Sequence, residues 1–142
     1  MNLTKLEDQL IEHEGMRLDM YTDSVGIATI GIGRNLEHVG LRTEAEARYL
    51  LRSDILSIRA EIERSIPWIA DLNDTRQRCL MDMAFNLGVS GLMKFEKTLQ
   101  HIADGRYEAA AQEMLRSRWA DQVGQRAMTL SQMMATGKDS DA

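Results

Sequence analysis

Glu12-His13-Glu14-Gly15-Met16-Arg17-Leu18-Asp19-Met20-Tyr21-Thr22-Asp23-Ser24-Val25-Gly26-Ile27-Ala28-Thr29-Ile30-Gly31-Ile32-Gly33-Arg34-Asn35-Leu36 is where the chain changes character. Before it, Leu3, Leu6, Leu10 and Ile11 share one helical face, and Thr4 with Glu7 fits a capping box. This first helix is expected to run to Glu14 and stop at Gly15. Beyond it, Leu18, Met20 and Tyr21 suggest a strand, Asp23-Ser24 and Gly26 a turn, and Ile27 to Ile32 a second strand. Glu14 thus ends a helix, where the negative end of the macrodipole disfavours a carboxylate. A glutamate there, beside apolar residues, tends to keep its proton longer, as a general acid must. Asp23, in an open and polar turn, is expected to stay ionised. Two carboxyl groups in contrasting settings mark divided acid and base roles. Spacing alone leaves a second reading open, in which both are ordinary surface carboxylates.

Further along, helical periodicity dominates. Thr43 and Glu46 form a second capping box, opening a long helix with Leu50, Leu51, Ile55, Ile58 and Ile62 inward and Pro67 marking its end. Asn73 or Asp74 caps a helix running through Leu80 and Met83 to Gly88. Helices near 94–104, 106–116 and 124–135 follow. The expected fold is α+β: a small β-containing lobe at 15–42, a connecting helix at 43–65, and a helical lobe from 1–14 and 66–142. Most of the ten Met residues fall at helical spacing with other apolar residues, so core filling is expected.

The bulk properties narrow the function. A chain of 142 residues with 44% hydrophobic and 27% charged content suits one globular domain with no need of disulfides or structural metal. A net charge of −5 argues against a nucleic-acid binder, which would show a basic face. Arg116, Arg118 and Arg126 form a local basic zone despite Asp121. Cys79, the single cysteine, lies in an apolar helical stretch and reads as core. No apolar leader follows the N-terminus and no run of about 18 apolar residues occurs, so neither an export signal nor stable membrane insertion is expected. Gly31-Ile32-Gly33 lacks the third glycine of a dinucleotide loop, since Leu36 stands there. His13, His38 and His101 are scattered without ligand spacing, so no metal and no cofactor are expected.

Taken whole, the opening segment resembles the phage-type lysozymes, the endolysin family of glycoside hydrolases. Glu14-Gly15, Arg17-Leu18, Tyr21, Asp23 and Thr29-Ile30-Gly31-Ile32-Gly33 match that pattern, with nine positions from Glu14 to Asp23 and six from there to Thr29. The likeness spans about residues 8–137 through Met83 to Gly88, Phe95, Thr98, Arg106-Tyr107, Ser117-Arg118-Trp119 and Gln125-Arg126-Ala127. It implies a lysozyme-like fold with a substrate cleft between two lobes. It implies Glu14 as proton donor, Asp23 as the carboxylate that stabilises positive charge and helps activate water, and Thr29 as the holder of that water. Gly33, Asn35, Phe85, Asn86, Gly88 and Thr98 would contact substrate, and Arg126 would pair with Glu14. Water held opposite the acid implies inversion, with the carboxyl groups about 6.5–9.5 Å apart.

There are departures. Arg34 replaces a family histidine, the stretch from Leu36 to Thr43 is shortened, Asn86 replaces a glutamine, and Glu113 replaces a sugar-contacting asparagine. The implied reaction is hydrolysis of the β-1,4 bond between N-acetylmuramic acid and N-acetylglucosamine in peptidoglycan, for host-cell lysis. A lytic transglycosylase and a silent wall-binding relative are the alternatives. The implied setting is a monomer held in the host bacterial cytoplasm until a holin-type pore lets it reach the periplasmic wall.

Overall fold

The computed structural model describes residues 1–139. By their contacts they divide into two units, Met1–Leu50 and Leu51 onward. Helix α1 (Leu3–Glu14) therefore groups with the β residues, whereas the sequence reading assigned it to the helical lobe. The architecture is mainly helical α+β with one small antiparallel sheet, as expected of a lysozyme-like fold.

In the first unit, α1 starts at Asn2, whose Oδ1 accepts from the Lys5 N–H at 3.0 Å. The expected Thr4–Glu7 box is thus replaced by an asparagine cap, which meets the same need of an orphan N–H. The helix ends at Glu14, as expected, because Gly15 (φ 77°) turns the chain and donates back to Ile11 O. Strands β1 (Arg17–Thr22), β2 (Ala28–Gly31) and β3 (Arg34–Asn35) pair in that order. Tyr21 and Asn35 flank Thr29 on its two sides, so Thr29 sits in the central strand. The β1–β2 register slips between Arg17 and Tyr21, a bulge of the kind that re-aims side chains. The expected hairpin gains a third strand, two residues long, whose brevity leaves no alternation in the sequence.

This unit encloses almost nothing. Of its residues only Thr29 is buried, at 4% exposure. Leu3 and Leu10 of α1 are exposed, as are Leu50, Leu51 and Ile55 of α2 (Glu44–Ser65), the last three expected inward. Fifty residues with a shortened loop supply too little chain to close a core. Ile30, Ile32, Leu36, Leu41, Tyr49 and Leu50 instead line an open apolar groove. Helix α2 begins as expected, with Thr43 Oγ accepting from the Glu46 N–H at 3.1 Å. Glu46 reaches back to the Arg42 N–H at 2.9 Å and pairs with Arg34 at 3.3 Å.

The second unit holds the core. The end of α2, a 3₁₀ turn (Pro67–Asp71), α3 (Asp74–Leu87), α4 (Val89–Met93), α5 (Glu96–Ala103), α6 (Tyr107–Leu115), α7 (Arg118–Val123) and α8 (Gln125–Thr136) surround fully buried Ile62, Leu80, Met83, Leu92, Met114 and Met134. Each such side chain contributes about 1.5–3 kcal/mol through removal from water. Helices α4 and α7 were not anticipated; five and six residues carry too little periodicity. Asn73 serves two helices. Its Oδ1 accepts from the Arg76 N–H at 3.0 Å, capping α3, while its Nδ2 donates to Gly137 O at 2.9 Å beyond α8. Arg76 donates to Met134 O and Ala135 O at 2.8 and 3.1 Å and lies over the Tyr107 ring. The last carbonyls of α8, orphans in any helix, are satisfied in this way. Cys79 is buried as expected, but the methionines divide. Met83, Met114 and Met134 are buried, Met81 and Met133 pack against the core, and Met1, Met16, Met20, Met93 and Met128 are exposed.

Candidate active site

The β1–β2 turn is built by Asp23. Its N–H donates to Ile27 O at 2.9 Å, and its carbonyl accepts from the Gly26 N–H at 3.0 Å. Its Oδ1 accepts from the Val25 and Ile27 N–H groups at 2.9 and 2.8 Å. An aspartate bridging its own turn in this way is fixed in rotamer and direction. One carboxylate oxygen is thereby committed to the backbone, and Oδ2 accepts no protein donor among the described residues.

Thr29 joins the same network. Its Oγ donates to Ile27 O at 2.9 Å. The Ile27 residue therefore receives both the Asp23 N–H and the Thr29 hydroxyl on its carbonyl, and gives its N–H to the Asp23 carboxylate. With its hydrogen spent on that carbonyl, the Thr29 oxygen has only lone pairs left to offer. Asp23 Oδ2 and Thr29 Oγ are thus two acceptors on side chains linked through one peptide residue.

Glu14 enters the same unit from the end of α1. Its side chain is exposed, not sheltered by apolar neighbours as expected. It lies against the backbone of Gly33, in the turn between β2 and β3. A Cβ added to Gly33 would stand 2.7 Å from Glu14 Oε2 and 3.0 Å from Cδ. The first unit thus carries Glu14, Asp23, Thr29, Gly33 and Asn35. Asn35 is occupied locally, its Oδ1 accepting from the Glu37 and His38 N–H groups at 2.9 and 2.8 Å.

The remaining expected residues belong to the second unit. Phe85, 46% exposed, lines a hollow of about 400 Å³ with Met81, Asp82 and Arg126. Asp82 engages Arg126, whose Nε donates to Oδ1 at 2.8 Å. Asn86 Oδ1 accepts from the Trp119 indole at 2.8 Å, and no acceptor for its amide hydrogens is found among the described residues. Gly88, at φ 76°, is the joint where α3 ends and α4 begins. Thr98, buried, forms one wall of a hollow of about 330 Å³ with Lys94, Lys97, Glu113 and Arg116. In the basic zone, Arg116 is held by Glu113 at 3.1 Å, as Arg126 is by Asp82.

Sequence reading missed the Ile27 peptide, Asp82 and the Arg34–Glu46 pair. A backbone hub leaves no side-chain signature. Asp82 and Arg126 are 44 positions apart, although Asp82 and Phe85 at helical spacing could have shown a polar–aromatic edge. Among the described residues no cluster of three or more His, Cys, Asp or Glu side chains is placed to hold a metal ion.

A family model described as phage lysozyme matches residues 11–134. This chain belongs to the phage lysozyme family. Among curated relatives, probable T4-type lysozyme 1 of Dictyostelium discoideum is 26% identical over 95% of this chain and 96% of its own length. Probable T4-type lysozyme 2 of the same organism is 27% identical with the same two coverages. The pre-baseplate central spike protein Gp5 of Enterobacteria phage T4 is 29% identical over 93% of this chain, which spans only 28% of that protein. Membership of the phage lysozyme family makes this chain a glycoside hydrolase of the lysozyme type, with peptidoglycan as its substrate class.

Proposed function

We propose that the chain hydrolyses the β-1,4 bond between N-acetylmuramic acid and N-acetylglucosamine, with inversion, using Glu14, Asp23 and Thr29. The observation that carries this reading is the Ile27 peptide, whose N–H donates to Asp23 Oδ1 and whose carbonyl accepts the Thr29 hydroxyl hydrogen, which ties the two side chains together and leaves Asp23 Oδ2 and the Thr29 Oγ lone pairs as acceptors. A water donating one hydrogen to each has its lone pair free to attack the anomeric carbon. Asp23 takes the proton that this water gives up. Glu14 delivers its own proton to the glycosidic oxygen, and the C1–O bonding pair leaves with that oxygen as the 4-hydroxyl of N-acetylglucosamine. Attack opposite the leaving group yields the α-configured muramic acid end. By the family resemblance, Phe85, Asn86 and Thr98 are the second unit's candidate sugar contacts.

Proton NMR of soluble peptidoglycan fragments, recorded within the first minutes of digestion, tests the reading. The expected product carries a reducing α-anomer that later mutarotates. An initial β-anomer would overturn inversion, and anhydro ends, seen by mass spectrometry as products short of one water, would overturn hydrolysis. For the biological setting, we infer host-cell lysis by a monomer that waits in the bacterial cytoplasm for a separate pore-forming protein. No helix among the described residues is long and apolar enough to cross a membrane. Expression alone should leave cells intact, and co-expression of a pore former should clear the culture. Lysis without the pore former would contradict that order of events.

A further inference from the structure

Gly31 and Gly33 both bend the chain between β2 and β3, with φ of 69° and 64°, where an L side chain is strained. Their surroundings differ. Nothing lies within 4 Å of where a Cβ on Gly31 would stand, whereas one on Gly33 would meet Glu14 Oε2 at 2.7 Å, Cδ at 3.0 Å and Cγ at 3.2 Å. Backbone conformation therefore accounts for both glycines, but only Gly33 is also needed as empty space. The space is filled by the end of the Glu14 side chain.

We propose that Gly33 is a positioning residue for the acid, acting as a bare backbone platform against which the Glu14 carboxyl group rests. This rests on the reading of Glu14 as proton donor and goes beyond it, since Gly33 was expected only to contact sugar. Glu14 is exposed, and no hydrogen bond to its carboxylate is found among the described residues. Contact with residue 33 is a restraint on its rotamers. A methyl group at 33 displaces three side-chain atoms at once, by rotation about the flexible side-chain bonds. Such a rotation costs little stability, yet it moves the proton away from the glycosidic oxygen. A misplacement of about 1 Å at a reacting group is worth about a hundredfold in rate.

The molecule contains its own control. Gly33→Ala and Gly31→Ala impose the same backbone strain, so both should lower the melting temperature equally. On soluble peptidoglycan fragments, Gly33→Ala should lose about a hundredfold in kcat with little change in KM. Gly31→Ala should stay within a few-fold of the parent. Equal losses in the two variants would overturn the proposal. Glu14→Gln separates the layers: if it is inactive while the two alanine variants match, the platform fails and the acid stands. If it is active, both fail. Should Gly33→Ala not fold, combining it with Glu14→Ala removes the obstruction and should restore folding to the level of Gly31→Ala. Failure of that pair to fold would also overturn the proposal.

Discussion

Ile27 offers no side chain to the chemistry, yet its peptide is where Asp23 and Thr29 meet. Structure and catalysis are therefore separable at Asp23. Asp23→Asn retains an oxygen able to accept both turn N–H groups, so its melting temperature should stay near the parent's. Asp23→Ala leaves those two donors without their partner and should lose about 1–2 kcal/mol by thermal or urea unfolding, from about 1 kcal/mol per bond. Both should abolish wall clearing, because neither can accept the proton from water. An active Asp23→Asn would remove Asp23 from that role. At Cys79, burial pushes the thiol pKa up to about 12, with a smaller push from the Asp82 carboxylate. A thiol reagent at neutral pH should leave the folded protein unlabelled and react only in denaturant. Labelling of the native protein at the rate of a free thiol would contradict the buried placement. Cys79 and the Asp23 turn were legible because their signals are local, an apolar helical neighbourhood and an Asp-Ser-Val-Gly string. The Arg126–Asp82 pair was not, because ion pairs between helices follow from packing that no short-range pattern encodes.

At the scale of elements, starts and stops with side-chain chemistry were legible, and short pieces were not. Gly15, Gly88 and Asn73 end or begin helices where the sequence places them. Strand β3, α4 and α7 span only two, five and six residues and exist because neighbours hold them. Capping also produces an acid-sensitive joint. The Arg42 N–H, and after it the Arg34 guanidinium, hold Glu46 below its ordinary value of 4.5. A carboxyl with a lowered folded pKa stabilises the fold above its unfolded value and loses that contribution as pH falls through the folded one. The start of α2 should therefore be intact at neutral pH and fray below about pH 4.5. Glu46→Gln should flatten that acid dependence, read by NMR shifts of Arg42 and Thr43; an unchanged acid profile would contradict the assignment. Asn73 caps α3 and ties down the residue after α8, so Asn73→Ala should cost about 1–2 kcal/mol. A melt indistinguishable from the parent would show the double cap to be idle.

Across the molecule, the chemistry and the core are carried by different stretches. The proposed acid, base and water holder all fall before Leu50, in a unit whose single buried residue is Thr29, while the buried apolar side chains run from Ile62 to Met134. Local stability follows burial. Amides of the first unit should therefore exchange with solvent well before those around Leu80 and Met83, by hydrogen-exchange mass spectrometry. The fold class was legible from periodicity with cap and turn residues, but the exposure of Leu50, Leu51 and Ile55 was not. Periodicity shows which face is apolar and not whether enough chain exists to cover it. The most direct test of the whole account compares Glu14→Gln with Glu12→Gln, two exposed glutamates two residues apart on α1. Clearing of permeabilised cells should fall by at least about a hundredfold for Glu14→Gln, the scale of a lost general acid, and stay at the parent rate for Glu12→Gln. Equal clearing by both variants would contradict the account.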